Sequence, residues 1–431
     1  MLRVFRTSEL SLTEIGRQLE PAAADQAKLQ AIVDDIISRV RAEGDAAVLE
    51  YSRRFDWPEA TLAGLRVTEA ETSAALADID TGLLHAMTQA AGNIRRFHER
   101  QMPQDWFEEM ELGLRLGVRH TPVDSVACYV PTTKASLPSS LLMSVVPAQV
   151  AGVARIVVAG PARRDGTLPP GVLAAAHLLG ITEIYKLGGA VAMAALALGT
   201  ASFTKVDKLV GPTNAFGMLA KRALFGEVGI DGLYGPSDVS IIADGTVPAA
   251  WVASDILSQA EHGADSPCML ITPDAPYAQA VQAEIAVQLT ASPRGEYLTA
   301  SLTTYGAVIL TRDLAEAAAM ANLLAPEHLE LEVADPQALL PAIRHAGAIF
   351  LGGHAPVPVG DYFAGPSHIL PTGRTARFAG GLGVMDFLKR SSLIQSDETW
   401  IRQHGETIIA LATHEGLPGH AEAIQERLET T

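Results

Sequence analysis

The sequence contains few cysteines and no long apolar segment. Only two cysteines occur among 431 residues, Cys128 and Cys268, and each lies in an apolar, strand-like stretch. We expect two buried free thiols in a reducing cytoplasm rather than a disulfide or a metal-bound pair. Because no run of about 18 apolar residues occurs, no membrane-spanning helix is predicted. The first residues also lack the apolar core and cleavage site of a signal peptide, so we expect a soluble protein with no membrane partner.

Basic side chains are outnumbered by acidic ones. Lysine and arginine total 32 against 49 aspartates and glutamates, which gives a formal net charge of −17. A surface of this sign repels phosphate backbones, so the composition argues against a nucleic-acid partner. Hydrophobic residues make up 48% of the chain, which is enough for large buried cores and excludes a disordered protein. The length predicts two or three compact domains.

The N-terminal part has the periodicity of helices. Apolar residues from Ile32 to Val40 recur at helical spacing, and a second helix is predicted from about Leu83 to Arg100. We therefore interpret residues 1–122 as an N-terminal helical region.

From residue 123 onward, short β-rich runs alternate with Ala-rich helical stretches. This alternation is typical of parallel sheets covered by helices on both faces. The predicted fold class is α/β, with two tandem, incomplete Rossmann-like parallel-sheet domains at 123–238 and 239–390. A helical tail follows at 391–431. Because open parallel sheets bind ligands at the carboxyl ends of their strands, we expect the site in the loops after strands.

No Gly-x-Gly-x-x-Gly turn is present in either predicted sheet domain. Gly188-Gly189-Ala190 follows a predicted strand, but glycine pairs commonly serve simple tight turns. The sequence pattern alone therefore does not predict a dinucleotide site.

Two polar pairs have spacings that suit chemistry. Gln259 and His262 are three residues apart in a predicted helix ending at Gly263, so both side chains would project from one face and could share a metal. Glu327 and His328 stand at a predicted strand start, and such a carboxylate–imidazole pair suits general acid–base catalysis. Each pair taken singly is more often an exposed polar face.

Four further polar residues occur where the chain turns. Asp361 and His368 lie in a Gly/Pro-rich stretch after the predicted strand Ala348–Leu351. Glu415 and His420 flank a break between two predicted helices. Taken singly, these four are more often turn, cap or surface residues.

In their joint order, however, these residues resemble one family. The segments that carry the resemblance are Lys205–Asn214, Gly229–Asp231, Gly235–Asp238, Ser258–Gly263, Ala325–Leu331, Gly360–Tyr362, Pro371–Gly373 and Glu415–His420. They are similar to segments of histidinol dehydrogenases, and the matches run in unbroken order from about residue 30 to the C-terminus.

The resemblance implies a metal site. The zinc ligands of the family correspond here to Gln259, His262, Asp361 and His420, with one Zn²⁺ per subunit. An imidazole, carboxylate and amide set suits zinc, although manganese or cobalt could occupy the same ligands. His420 is expected to come from the partner subunit, so the resemblance also implies a homodimer with a swapped C-terminal segment and shared active sites.

The resemblance also implies an activity. The family oxidises a small amino alcohol through an aldehyde to a carboxylic acid with two NAD molecules in succession, and L-histidinol to L-histidine is the first expectation. His328 would remove the hydroxyl proton and Glu327 would activate water, while zinc anchors the substrate. Tyr129 and Asn214 correspond to NAD contacts. Further substrate contacts correspond to Ser237, His368 and Glu415.

Three departures from the family pattern fall on contact positions. Thr132-Thr133 replace two glycines, and Val191 replaces a glutamine that contacts the dinucleotide. The stretch Pro356–Val359 lacks a glutamate that the family carries. Two alternatives therefore stay open: a dehydrogenase of the same family for another small alcohol, such as a sulfonated diol, or a zinc-binding relative without NAD-dependent activity.

Overall fold

The computed structural model describes residues 2–20, 26–132 and 136–429, which form a mixed α/β structure with three sheets. The strands in this part of the chain are β1 (Arg3–Arg6), β2 (Trp106–Glu111), β3 (Leu114–Pro122), β4 (Ser125–Tyr129), β5 (Arg155–Gly160), β6 (Glu183–Lys186), β7 (Lys208–Val210), β8 (Gly229–Ile230), β9 (Val239–Ala243), β10 (Cys268–Thr272), β11 (Ala307–Leu310), β12 (His328–Glu332), β13 (Ala348–Leu351) and β14 (Leu388–Ser396).

The helices lie between and around these strands. They are α1 (Leu12–Gln18), α2 (Gln26–Glu43), α3 (Asp45–Phe55), α4 (Glu69–Asp78), α5 (Thr81–Glu99), α6 (Pro138–Val150), α7 (Pro170–Leu178), α8 (Gly189–Leu198), α9 (Ala215–Leu224), α10 (Ala249–Ala260), α11 (Ala275–Ala291), α12 (Gly295–Tyr305), α13 (Leu314–Leu324), α14 (Pro336–Leu339), α15 (Val357–Val359), α16 (Glu398–His414) and α17 (Pro418–Glu429). Short 3₁₀ turns occur at Ala63–Leu65, Leu340–Ala342, Thr375–Arg377 and Val384–Phe387, and a π-helical turn at Gly360–Ala364.

The first parallel sheet has five strands in the order β6-β5-β4-β7-β8. Every residue of its central strand β4 is buried, because helices cover both faces. Val126 and Cys128 pack into one hydrophobic cluster with α6 and α7, whereas Ala127 and Tyr129 pack into another with α2 and α8. This alternation is the two-residue period of a strand buried on both sides. The strand order reverses between β4 and β7, where a ligand crevice is expected.

The second parallel sheet has six strands in the order β1-β11-β10-β9-β12-β13. Its order reverses between β9 and β12, so it repeats the plan of the first sheet. The tandem parallel-sheet fold predicted from the sequence is confirmed. Both cysteines are buried free thiols, Cys128 in β4 and Cys268 in β10, as expected.

The N-terminal region is helical over most of its length but also supplies strands that were not predicted. β1 pairs with β11 at the edge of the six-stranded sheet. β2 and β3 form a three-stranded antiparallel sheet with β14, which the sequence analysis had assigned to the domain end and the helical tail. β1 and β14 escaped prediction because their pairings join residues roughly 270–300 positions apart, which local periodicity does not detect. β2 and β3 form a local hairpin, which the sequence analysis did not identify. The four-part domain division stays a prediction.

The C-terminal helices rest on this antiparallel sheet. Trp400 of α16 donates its indole N–H to Glu111 Oε2 at 3.0 Å, and His404 Nε2 lies 3.0 Å from Glu111 Oε1. The segment that begins at Pro336 is helical only to Leu339 and then forms a 3₁₀ turn. None of the helices in the described part of the chain is both long and apolar enough to cross a membrane.

Candidate active site

The carboxyl ends of β4 and β7 bring the two predicted cofactor contacts together. Tyr129 ends β4, and its hydroxyl accepts a hydrogen bond from the Gly189 N–H at 2.9 Å. Asn214 is the N-cap of α9, because its Oδ1 accepts the Gly217 N–H at 3.0 Å. Gly189 and Asn214 line a cavity of about 710 Å³. Burial raises the pKa of Tyr129 to about 12, so its hydroxyl stays neutral.

One departure from the family pattern lines this cavity, and a second follows β4. Val191 is buried, and its apolar side chain lines the cavity wall. Thr132 is also buried, and its hydroxyl donates to the Pro161 carbonyl oxygen. Thr132 does not have a positive φ, so the backbone at this position does not require glycine. Thr133 lies outside the described residues.

Asp56 faces the same cavity and was not singled out from the sequence. Burial raises the pKa of its carboxyl to about 6, opposed by a hydrogen bond from the Gly188 backbone. A Cβ on Gly188 would lie 2.5 Å from Asp56 Oδ2, so only glycine allows this approach. The contact joins the helical region to the turn before α8, and no local sequence signal indicates it.

Glu327 and His328 lie at the start of β12, beside the residue that precedes β9. His328 Nδ1 donates to the Asp238 carbonyl oxygen at 3.0 Å. Its other ring nitrogen, Nε2, is buried, has no hydrogen-bond partner in the described part of the chain, and lies 3.7 Å from Asp361 Oδ1. Asp238 also contacts Glu327 through two further hydrogen bonds. The acid–imidazole pair is therefore held by one aspartate, which the sequence analysis did not identify as functional.

Gln259 and His262 come together at the end of α10, but not on one helical face. The helix ends at Ala260, before the predicted end at Gly263, and the His262 N–H donates to the Gln259 carbonyl oxygen at 3.1 Å. This tightened turn places His262 Nδ1 3.2 Å from the Gln259 amide nitrogen. The Gln259 amide nitrogen also donates to the Ser237 hydroxyl at 2.8 Å. Gln259 Oε1 is left buried with no donor among the described residues.

Asp361 and His368 follow β13 as predicted, and they contact each other. His368 Nδ1 donates to the Asp361 backbone carbonyl oxygen at 2.9 Å, while its Nε2 lies 3.1 Å from the Ser140 hydroxyl. Asp361 lies in the π-helical turn Gly360–Ala364. The hydrogen bond from His368 to the Asp361 main chain holds this turn, and the turn constrains the orientation of the Asp361 carboxylate.

The charges of this cluster are strongly coupled. Burial alone would raise the pKa of Asp361, but His328, His368 and His262 together hold it below its ordinary value. Burial lowers the pKa of both His262 and His368. Burial also opposes the charge on His328, yet Glu327 and Asp361 outweigh it and raise its pKa to about 10. Burial raises the pKa of Glu327.

These residues are suited to a divalent cation. Gln259 Oε1, the His262 imidazole and the Asp361 carboxylate are oxygen and nitrogen donors of the kind that zinc takes. A buried amide oxygen without a donor is costly unless a cation or another donor satisfies it. The donor set therefore fits the metal that the resemblance implies.

A second cavity of about 550 Å³ connects the two groups of residues. Pro212, Thr213 and Asn214 line it from the carboxyl ends of the first sheet, and His262 and Asp361 line it from the second. In the second sheet the site does not lie only in loops after strands: Asp238 and His328 lie at the amino ends of β9 and β12, and a strand start is where the sequence predicted Glu327 and His328. The site lies where the carboxyl edge of one sheet faces the amino edge of the other.

Two predicted residues are not brought into this cluster within one chain. Glu415 is the C-cap of α16, and His420 lies in the first turn of α17; both side chains are exposed. Within the described residues, neither side chain forms a hydrogen bond to Gln259, His262 or Asp361.

A buried group of three carboxyls lies behind the site. Asp255 of α10 and Glu330 and Glu332 of β12 place carboxylate oxygens within 4.8 Å of one another. Glu330 Oε1 accepts the Val357 N–H at 2.8 Å, which links the group to the segment that leads to Asp361. Burial and mutual repulsion raise the pKa of Glu330 to about 8 and that of Glu332 to about 9. The group is separate from the predicted ligands, and the alternating His-Leu-Glu-Leu-Glu pattern on a buried strand was its sequence signal.

Comparisons with known proteins bear on the whole chain. The family model described as histidinol dehydrogenase matches residues 19–428. A histidinol dehydrogenase from Geobacillus kaustophilus is 50% identical over 415 residues, which cover 96% of this chain and 97% of that protein. One from Bacillus subtilis is 46% identical over 426 residues, 99% of each chain.

A solved structure agrees with the fold. The crystal structure of histidinol dehydrogenase from Elizabethkingia anophelis has a TM-score of 0.94 and 33% sequence identity, and the match covers 100% of this chain and 98% of that one. Fold and relatives together define the class as an enzyme, an oxidoreductase of the dehydrogenase type. The chain belongs to the histidinol dehydrogenase family.

Proposed function

We propose that this enzyme oxidises L-histidinol to L-histidine with two NAD molecules in succession and one Zn²⁺ per subunit. The observation that carries the proposal is the position of the Glu327–His328 pair. It is buried beside Gln259, His262 and Asp361. His262 and Asp361 line the metal-side cavity of about 550 Å³, and Asn214 lines both this cavity and the cofactor-side cavity of about 710 Å³. Family membership supports the substrate, since relatives covering almost the whole chain bear this name.

His328 is suited to remove the hydroxyl proton of the alcohol. Its Nδ1–H is bound to the Asp238 carbonyl oxygen, so Nε2 is the nitrogen that faces the site. The negative charges of Glu327 and Asp361 hold the pKa of His328 high, and a cation bound by Asp361 opposes that effect. Nε2 would accept the hydroxyl proton while NAD, as the two-electron acceptor, would take the hydride of the carbinol carbon, so the alcohol would become the aldehyde.

Glu327 is suited to the second oxidation. Burial raises the pKa of its carboxyl, which brings the group closer to the range where it exchanges protons with water. Glu327 would activate the water that hydrates the aldehyde, and a second NAD would take the hydride of the hydrate, which leaves the carboxylic acid. Ser237, His368 and Glu415 are proposed as further substrate contacts.

Gln259, His262, Asp361 and the partner subunit's His420 are proposed to hold the metal. When bound, Zn²⁺ anchors and orients the substrate through its nitrogen donors. The exposed positions of Glu415 and His420 on the C-terminal helices are what a contribution to a second subunit's site requires. A homodimer with two shared sites follows from this arrangement, and a cytoplasmic location stays a prediction.

One observation favours a second substrate class. Val357, in the stretch where the family pattern carries a glutamate, is 3% exposed and lines the metal-side cavity together with Arg294. An apolar residue and a guanidinium group suit an anionic alcohol better than an amine, so a sulfonated diol is the competing substrate.

The test is NADH formation by zinc-loaded protein with L-histidinol or with a sulfonated propanediol. We expect turnover with histidinol, and a loss of roughly 100-fold or more in kcat in His328→Asn and Glu327→Gln, because each removes a proton-transfer group. The matched control is His354→Asn, since that imidazole packs on Trp251 outside the site residues and its loss should leave kcat unchanged. If only the diol is oxidised, the sulfonated diol becomes the proposed substrate. If neither the diol nor histidinol yields NADH, the proposed function is wrong.

A further inference from the structure

Lys221 is a buried lysine that the proposed chemistry does not use. It lies in α9 with no exposed surface, and its Nζ forms an ion pair with Asp231 Oδ1 at 2.6 Å. Nζ also donates to the Gly211 carbonyl oxygen at 2.7 Å. The other Asp231 oxygen accepts the Gly211 N–H at 2.6 Å. The two members of one buried ion pair therefore hold both polar backbone groups of a single glycine.

Gly211 is a position where the backbone tolerates no other residue. Its φ is +107°, a conformation that L side chains rarely adopt. A Cβ there would lie 2.3 Å from the Tyr129 carbonyl oxygen. The turn after β7 thus packs directly against the end of β4, and the ion pair closes the turn from the opposite side.

The turn leads at once to residues that border both cavities. Pro212 and Thr213 line the metal-side cavity, and Asn214 lines both that cavity and the cofactor-side cavity. Asn214 is also the N-cap of α9, the helix that carries Lys221. A shift of Gly211 therefore moves the wall between the two cavities.

We propose that Lys221 and Asp231 are positioning residues that fix the Gly211–Asn214 turn, and through it the place of the cofactor relative to the metal side of the site. The proposal rests on the proposed use of NAD. Stability alone is a weak reason for such a pair, because well-packed apolar residues often replace buried ion pairs without loss. Two hydrogen bonds with the ion pair hold the two backbone groups of Gly211, and the contact between Lys221 and Asp231 joins them, which indicates geometric control.

A second ion pair in the same sheet offers a matched control. Arg155, at the amino end of β5, binds Glu183 of β6 through two contacts of 2.7 and 2.9 Å. This pair lies in the same five-stranded sheet, but at the amino ends of its strands, whereas Tyr129 and Gly211 lie at the carboxyl ends. Loss of this pair tests the structural effect of removing an ion pair without touching the cavities.

The experiment compares three proteins: the wild type, the double variant Lys221→Met/Asp231→Asn, and the control Arg155→Met/Glu183→Gln. The double variant removes both charges, so it leaves no single buried charge unpaired. For each protein, zinc content, the thermal unfolding midpoint, kcat, and the KM values for NAD and for the alcohol are measured. The double variant Lys221→Leu/Asp231→Asn, which also leaves no buried charge unpaired, is measured in parallel in case the first double variant does not fold.

We expect the Lys221/Asp231 variants to raise the KM for NAD about tenfold, the effect of losing the hydrogen bonds that fix the turn. Their zinc content and KM for the alcohol should stay near wild type, and the control pair should change only the unfolding midpoint. If the Lys221/Asp231 variants lower the midpoint and leave the KM for NAD unchanged, the pair is structural and the inference is wrong. If the wild type neither binds nor reduces NAD, the proposed function fails first and the inference fails with it.

Discussion

Asp238 and Glu327 each donate a backbone N–H to the other's carboxylate. The Asp238 N–H donates to Glu327 Oε2 at 3.2 Å, and the Glu327 N–H donates to Asp238 Oδ1 at 3.0 Å. This reciprocal pair joins the residues that precede β9 and β12, and the Asp238 carbonyl oxygen also receives the His328 Nδ1–H. Burial and the charge of Glu327 raise the pKa of Asp238 to about 7. The two proposed catalytic groups are therefore oriented by one neighbour.

Replacement of Asp238 should impair catalysis more than stability. In Asp238→Ala the Glu327 N–H loses its acceptor and the proposed acid–base pair is less constrained, so we expect kcat to fall roughly 10–100-fold. The KM for NAD should change little, because Asn214 and Tyr129 are untouched. Steady-state kinetics measure both values.

Asp244→Ala is the matched control for Asp238. Asp244 follows the opposite end of β9 and also accepts a backbone N–H from beyond β12, that of Ala334 at 2.9 Å. Its loss should lower the unfolding midpoint without a change in kcat. Equal effects on kcat at the two ends of β9 would contradict an orienting role for Asp238.

Gln259→Leu should weaken metal binding. The substitution keeps the size of the side chain but removes the buried Oε1, and we expect metal affinity to fall about 10–100-fold. Zinc retention after dialysis against a chelator measures the effect. Gln288→Leu is the control, since the Gln288 amide only donates to the Ala250 carbonyl oxygen on the outside of α10. Full zinc retention by Gln259→Leu would remove this residue from the ligand set.

Mixing two inactive variants tests the shared site. His420→Ala lacks the proposed ligand from the C-terminal helix, and His328→Asn lacks the proposed base. In a mixed dimer one site receives a native His328 from one subunit and a native His420 from its partner. Random reassociation should restore about a quarter of wild-type activity.

The same mixing has an internal control. A mixture of His420→Ala and Gln259→Leu should recover activity to a similar extent. A mixture of His328→Asn and Gln259→Leu should not recover activity, because both residues are proposed to come from the same subunit of each site. Absence of recovery in the first two mixtures, with dimers shown by light scattering, would place His420 outside the partner's site.

The buried carboxyls predict a loss of stability at alkaline pH. The pKa values of Glu330 and Glu332, about 8 and about 9, lie above those of an unfolded chain, so the folded protein binds more protons. The stability that these bound protons contribute is fully present below the pKa of a glutamate in the unfolded chain, and it is lost as the pH rises through about 8 to about 9. The free energy of unfolding should therefore fall between about pH 6 and about pH 9.

Glu332→Gln should make that fall shallower, since the amide has no proton to lose. Urea unfolding at the two pH values measures it. The control is Glu183→Gln: burial raises the pKa of Glu183, but Arg155 and Tyr185 bring it below the ordinary value, so it carries its charge throughout this range. An unchanged pH slope in Glu332→Gln would show that the group does not hold its protons.

The local helices and central strands were predictable because their own residues contain the signal. α2 and α3 follow the helical spacing around the Gly44 break, and the buried strands β9 and β12 are continuous apolar or alternating runs. β1 and β14 were missed because each is defined by a partner distant in sequence.

The family, the α/β class and the identities of the polar residues were predictable from the sequence, because they follow from local pattern and from motif order. The tertiary structure was needed to show that Asp238 orients Glu327 and His328, and that Lys221 and Asp231 hold Gly211. It also decided that the site lies between the carboxyl edge of one sheet and the amino edge of the other. These relationships depend on the tertiary packing, and contacts between residues 10 to 90 positions apart leave no periodic signal along the chain.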